Sequence, residues 1–159
     1  MSIADSEIET ARKAWGDSLI EVSKAYDEHG IDAARALAEK VLDRAYGYNL
    51  GPVLFKPTLS GGELTFRTTK QGALSYFVGH DKNYPDDAGF GLKSWRRVTS
   101  KTAATFVEGD VGIWMGNFNF INSNDEVTTV DKTFGYKKGS DGALRIVLHH
   151  SSLPYQKPS

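Results

Sequence analysis

Apolar residues at Ile8, Ala11, Trp15, Leu19, Val22 and Tyr26 recur every three or four positions, which places them on one face of a helix. Asp5 or Ser6 suits its N-cap, with Glu9 three residues beyond Ser6 as a capping-box partner. Gly30 suits the left-handed position past its C-terminus. A second stripe follows at once (Ile31, Ala34, Leu37, Ala38, Val41, Leu42, Ala45), with Asp32 as its cap. So short a connection predicts an antiparallel or sharply angled helix pair sharing one apolar substrate.

From Gly47 the pattern breaks up. Val53-Leu54-Phe55 predicts a short strand stopped by Pro57, and Glu63 to Arg67 a second one. Thr69 caps a short helix carrying Ala73, Leu74, Tyr76 and Phe77. Residues 80–93, rich in Gly, Asp and Pro, read as a surface loop. From Ser94 the period switches to alternation: Trp95 to Val107 as one long bent strand, Val111 to Ile121, Glu126 to Lys137 and Ala143 to Ser152, joined by short turns. Strands so joined form an antiparallel meander, and the N-terminal helices are the available cover for its apolar face. The order predicts an α+β fold: a cone-shaped barrel of the nuclear transport factor 2-like type, with the sheet curled around a helix and a pocket.

With 159 residues, 40% apolar and 25% charged, the chain suits one ordinary globular domain. Nineteen basic against 20 acidic residues give no footprint for nucleic acid or an anionic membrane. No run resembles a membrane span, and the opening Met1-Ser-Ile-Ala-Asp-Ser is unlike a signal or transit peptide. The lack of cysteine removes disulfides, thiolate nucleophiles and cysteine-bound metals.

The stretch Leu144-Arg-Ile-Val-Leu-His-His-Ser-Ser ends an apolar strand in four polar residues. On a regular strand His149 and Ser151 share one face, and His150 and Ser152 the other. His149 and His150 cannot then both reach one ion, and His29 and His80 are the only other imidazoles, which argues against a three-histidine zinc site. The plainer reading is a histidine pair that caps the sheet edge. Taken alone, Thr58 reads as a turn residue, Tyr76 as a core aromatic, Trp15, Trp95 and Trp114 as packing, and Arg96-Arg97 as a solvated face with one ion pair. Asp131 is either an inward base or a surface-paired carboxylate.

Three runs, Asp110-Val-Gly-Ile-Trp-Met-Gly-Asn, Val127-Thr-Thr-Val-Asp-Lys-Thr-Phe-Gly-Tyr-Lys-Lys and Leu144-Arg-Ile-Val-Leu-His-His-Ser-Ser-Leu-Pro-Tyr, closely resemble the iota-class carbonic anhydrases. The likeness covers about residues 10–157. It implies kinship with the calcium/calmodulin-dependent kinase II association domain and polyketide-cyclase-like proteins. It also implies reversible hydration of carbon dioxide to bicarbonate by a homodimer. Some members of that class work without metal, whereas others are linked to manganese or zinc; no cofactor is expected here. Members occur as algal plastid proteins, often in tandem copies, and in bacteria. The resemblance therefore implies a plastid protein without its targeting segment or a bacterial one, whose single domain (1–159) is either whole or one repeat. Position by position, it implies that Thr58, Tyr76 and Ser151 bind bicarbonate and that His149 orients Ser151 or accepts a proton. Phe77, Val147, Trp95 or Trp114 would supply the wall facing carbon dioxide. Competing readings are a non-catalytic association module, an isomerase or cyclase using Asp131, and a metal-dependent anhydrase.

Overall fold

The computed structural model describes residues 2–159. Helix α1 spans Asp5–His29 and α2 spans Ile31–Ala45, with Gly30 (φ +89°) between them, as the glycine's position predicts. Ile8, Trp15, Leu19 and Val22 of α1 and Ala34, Ala38 and Leu42 of α2 are buried. The caps differ from expectation. Asp5 is already helical and Ala4 is the N-cap, its N–H donating to Glu7 Oε1 at 3.1 Å. Lys138, reaching over from the sheet, pairs with that Glu7 carboxylate at 3.0 Å and selects it over Glu9. Asp32 lies inside α2, whose N-cap is Gly30 without a side-chain bond.

Strand β1 is Leu54–Lys56, followed by Pro57. The strand expected at 63–67 does not form: Gly62–Leu64 is a single 3-10 turn. The cause is Arg67, whose Nε turns back to donate to the Leu64 carbonyl at 2.7 Å instead of extending. Helix α3, Lys70–Val78, is capped as predicted, with Thr69 Oγ1 accepting from the Gly72 N–H at 3.2 Å. The 80–93 segment is only partly surface. Asp87 pairs with Arg67, and Phe90 and Gly91 are buried.

Strands β2 (Trp95–Glu108), β3 (Val111–Asn122), β4 (Val127–Lys138) and β5 (Leu144–Ser152) form the antiparallel meander. The sheet order is β1-β5-β4-β3-β2, and β1 joins β5 in parallel, so the sheet is mixed rather than wholly antiparallel. Register shifts at Arg96 and Ala103 bend β2. A third lies on β5 opposite Gly135/Tyr136, where Val147 is the extra residue. The concave face presents Trp114, Phe118, Phe120, Val130, Phe134, Tyr136 and Ile146 to the helices. Trp15 of α1 stands among them, with ring centroids 5.3 Å from Phe118, 5.5 Å from Phe134 and 5.9 Å from Phe120. This is the predicted α+β cone, with a helix inside a curved sheet.

Candidate active site

The cone is almost filled. Beside Trp15, Phe55, Pro57, Thr58, Tyr76, Phe77, Phe90, Lys132 and His149 there remains a cavity of about 10 Å³, room for about one water molecule. Parallel pairing of β1 with β5 sets Phe55 beside His149, and their rings stack with centroids 4.4 Å apart. Three residues past Phe55, Thr58 comes within reach of β5: its Oγ1 is 2.6 Å from Ser151 Oγ. Tyr76 reaches in from α3, and its hydroxyl accepts from the Leu59 N–H at 3.2 Å. Burial pushes the Tyr76 hydroxyl up to about 12, against the opposing pull of bonds from Leu59 and Thr58.

His149 and Ser151 face inward and are 2% and 0% exposed, while His150 points out. The Val147 bulge decides this. Regular alternation from Ile146 would turn His149 outward, and the extra residue reverses it. Ser151 sits one step behind the cavity wall, and His149 does not touch it directly. Lys132 stands between them, its Nζ 2.7 Å from His149 Nε2 and 3.3 Å from Ser151 Oγ. On the other side of the imidazole, the Tyr46 hydroxyl is 2.9 Å from Nδ1 and accepts from Trp15 Nε1 at 2.9 Å. The result is one continuous polar thread through an aromatic core: Trp15, Tyr46, His149, Lys132, Ser151, Thr58. Burial holds the His149 imidazole well below its ordinary range, and a positive charge on Lys132 would lower it further. Burial alone holds the Lys132 ammonium well below its own.

Of the apolar wall residues expected, Phe77 lines the cavity. Trp95 is buried against Phe90 one layer away, Trp114 bonds to Thr102 Oγ1, and Val147 is the bulge residue beside Gly47. Asp131 is exposed and bonded to Asn117 Nδ2, so it is no inward base. Arg96 pairs with Asp27 at 2.7 Å, as the solvated-face reading predicts. Among the described residues no cluster of three or more His, Cys, Asp or Glu side chains is placed to hold a metal ion.

Residues 6–153 match the family described as metal-independent carbonic anhydrase. The chain belongs to that family. It is 53% identical over 156 residues to the metal-independent carbonic anhydrase of Nostoc sp., covering 98% of this chain and 76% of the relative. It also superposes on the iota-carbonic anhydrase of a cyanobacterium, solved in complex with bicarbonate, with a TM-score of 0.97 and 53% identity over 98% of this chain and 95% of that one. At 19% identity, a Xanthomonas campestris protein assigned as a calcium/calmodulin-dependent kinase II association domain gives a TM-score of 0.58 over 95% of this chain and 88% of its own. That likeness concerns the fold, which is nuclear transport factor 2-like: a Streptomyces avermitilis protein of the NTF2-like family gives a TM-score of 0.54 at 12% identity over 95% of this chain and 96% of its own.

For this metal-independent carbonic anhydrase, sequence reasoning brings together Thr58, Tyr76, His149 and Ser151 but misses three members of the thread. Trp15 looks like any helix-face aromatic, and Tyr46 follows the last residue of the second helical stripe with nothing nearby in sequence to mark it. Lys132 leaves a signal: it is the one charge in the alternating series Val130, Lys132, Phe134, Tyr136.

Proposed function

We propose that this protein hydrates carbon dioxide reversibly to bicarbonate, with the hydroxyls of Thr58, Tyr76 and Ser151 handling the oxygens. The observation that carries this reading is that the hydroxyl-bearing Thr58 and Tyr76 line one small aromatic-walled cavity, with Ser151 bonded to Thr58 just behind it. Hydration joins two small neutral molecules into an anion. Catalysis therefore needs the reactants held together, donors where negative charge develops, and an outlet for one proton. Hydroxyls both donate and accept, so each can grip an oxygen and pass a proton. In a low-dielectric site such donors act more strongly than in water. Phe55, Phe77 and Phe90 offer carbon dioxide an apolar wall. Bicarbonate has four heavy atoms, so its entry displaces side chains at the cavity. The short segment after β1 that carries Pro57 and Thr58 is the wall not built into a helix or the sheet.

The test is stopped-flow hydration with protein exhaustively treated with chelator and checked by elemental analysis. Full activity at metal contents far below one per chain supports the reading. Loss of activity restored by zinc or manganese overturns it.

A homodimer also belongs to this proposal. The convex face of β2 and β3 exposes Phe106 (64%), Met115 (54%) and Ile113, an apolar surface suited to a second copy. Light scattering should give twice the chain mass, and Met115→Lys should lower it to one.

A further inference from the structure

Lys132 sits on the concave face of β4 and is 5% exposed. Its Nζ lies 4.8 Å from the centre of the Trp15 ring and 5.4–5.9 Å from those of Phe118, Phe120 and Phe134. Its polar neighbours are His149 Nε2 and Ser151 Oγ, and no carboxylate pairs with it among the described residues. An unpaired buried ammonium is costly, so such an amine tends to stay neutral.

The hydrogen bonds around it make sense for that state. Tyr46 accepts from Trp15, which leaves its own proton to donate to His149 Nδ1. The neutral imidazole then carries its proton on Nε2, which donates to a lone pair on Lys132 Nζ. Only a neutral amine has that lone pair. One N–H of the amine is then directed to Ser151 Oγ, which in turn meets Thr58 at the cavity.

Resting on the carbon dioxide hydration proposed above, we infer that Lys132 is the proton acceptor of the reaction, fed through the hydroxyls of Thr58 and Ser151. As a water oxygen bonds to carbon, a carbon–oxygen π pair moves onto the substrate oxygen. As Nζ turns its one lone pair from His149 to Ser151, the water proton passes to Thr58 Oγ1, the Thr58 proton to Ser151 Oγ, and the Ser151 proton to Nζ. The products are bicarbonate and a lysine ammonium, and both hydroxyls are restored. The new cation lies near the new anion, and the surrounding ring faces also favour it. Buffer removes the proton to complete the turnover, and dehydration runs the same path backwards with the ammonium as acid. The titratable groups facing Nζ are few. His149 comes from β5, with Tyr46 behind it at the end of α2, and Tyr76 of α3 faces the same cavity. Helix α1 and strand β3 present only Trp15, Phe118 and Phe120.

The experiment compares the pH profiles of hydration for wild type, Lys132→Met and Lys132→Arg, with small primary amines added to the Met variant. In wild type kcat/KM should fall as pH drops through one ionisation. Lys132→Met should lose about 10²–10⁴-fold and that limb of the profile. Added amines should restore rate in proportion to their basicity, and Lys132→Arg, which stays cationic, should remain inactive. A folded Lys132→Met with a rate within threefold of wild type and the same limb overturns the inference. So does a variant slowed without change in profile and without amine response, which would mark a packing role. If the Met variant does not fold, nitrogen NMR of wild-type lysine side chains decides: a neutral Lys132 amine at pH 8 supports the inference, and an ammonium overturns it. Inactive wild-type protein would instead defeat the hydration reading itself.

Discussion

Thr58 Oγ1 and Ser151 Oγ lie 2.6 Å apart across 93 positions of sequence. The contact exists because β1 adds to the sheet in parallel beside β5, so the segment leaving β1 runs alongside the end of β5. Each hydroxyl fixes the direction of the other. Ser151→Ala and Tyr76→Phe should each lower kcat by about 10²-fold, the usual scale for one lost donor at a developing charge. Both should stay folded, with stability reduced by about 1 kcal/mol. Stopped-flow rates with circular-dichroism melts check this, and near-wild-type rates in both variants would refute the hydroxyl assignment.

Tyr46 holds His149 from behind, and Trp15 holds Tyr46. Tyr46→Phe keeps the ring but leaves the indole N–H and the imidazole Nδ1 without partners in a dry core. A stability loss of about 1–3 kcal/mol is expected. Activity should fall as well, because the imidazole loses the bond that sets its tautomer. Urea melts and the His149 ring-nitrogen NMR signals would report the two effects separately.

Arg67 and Asp87 form a bidentate pair at 2.7 Å on both arms, with side chains 3% and 6% exposed. Ser75 donates to the same carboxylate, and Arg67 also donates to the Leu64 and Gly72 carbonyls. This clasp fastens the 80–93 segment, and with it Phe90, to α3. Breaking one side of a buried pair strands the other charge, so Asp87→Asn should cost about 3–5 kcal/mol. The double variant Arg67→Met/Asp87→Leu should cost less than the sum of the single changes. A urea-denaturation cycle measures the difference.

Stability should also respond to pH in a defined direction. Burial lowers the folded-state proton affinity of Lys132, and more weakly that of Lys56, whereas the unfolded chain binds those protons up to about pH 10.4. The unfolded state therefore holds more protons than the native one through mildly alkaline pH, and stability rises with pH there. His149, also lowered, adds a rise as pH climbs to about 6.5. Above about pH 10 the sign reverses, because the buried tyrosines keep protons that the unfolded chain releases. Urea midpoints between pH 7.5 and 9.5 should thus increase for wild type and increase much less for Lys132→Met. A flat wild-type profile would show that Lys132 stays protonated in the fold.

Local pattern by itself determined the two N-terminal helices, the Thr69 cap, the four long strands and their turns. Each depends on neighbours within a few residues, so periodicity and turn chemistry suffice. The family resemblance likewise rests on contiguous runs, and its carry-over position by position implies Thr58, Tyr76, His149 and Ser151. Tertiary structure decided the rest. Regular alternation cannot say that His149 faces inward, because that depends on a bulge at Val147 opposite Gly135, where a Cβ would stand 2.8 Å from Leu148 Cβ. Local pattern misplaces a strand at Glu63–Arg67, because Arg67 is bent by a carboxylate twenty residues further on. Nor can it foresee the state of Lys132, whose proton affinity is set by aromatic rings drawn from α1, β3 and β4. Burial and long-range pairing depend on which distant segments meet, and that is a property of the folded chain.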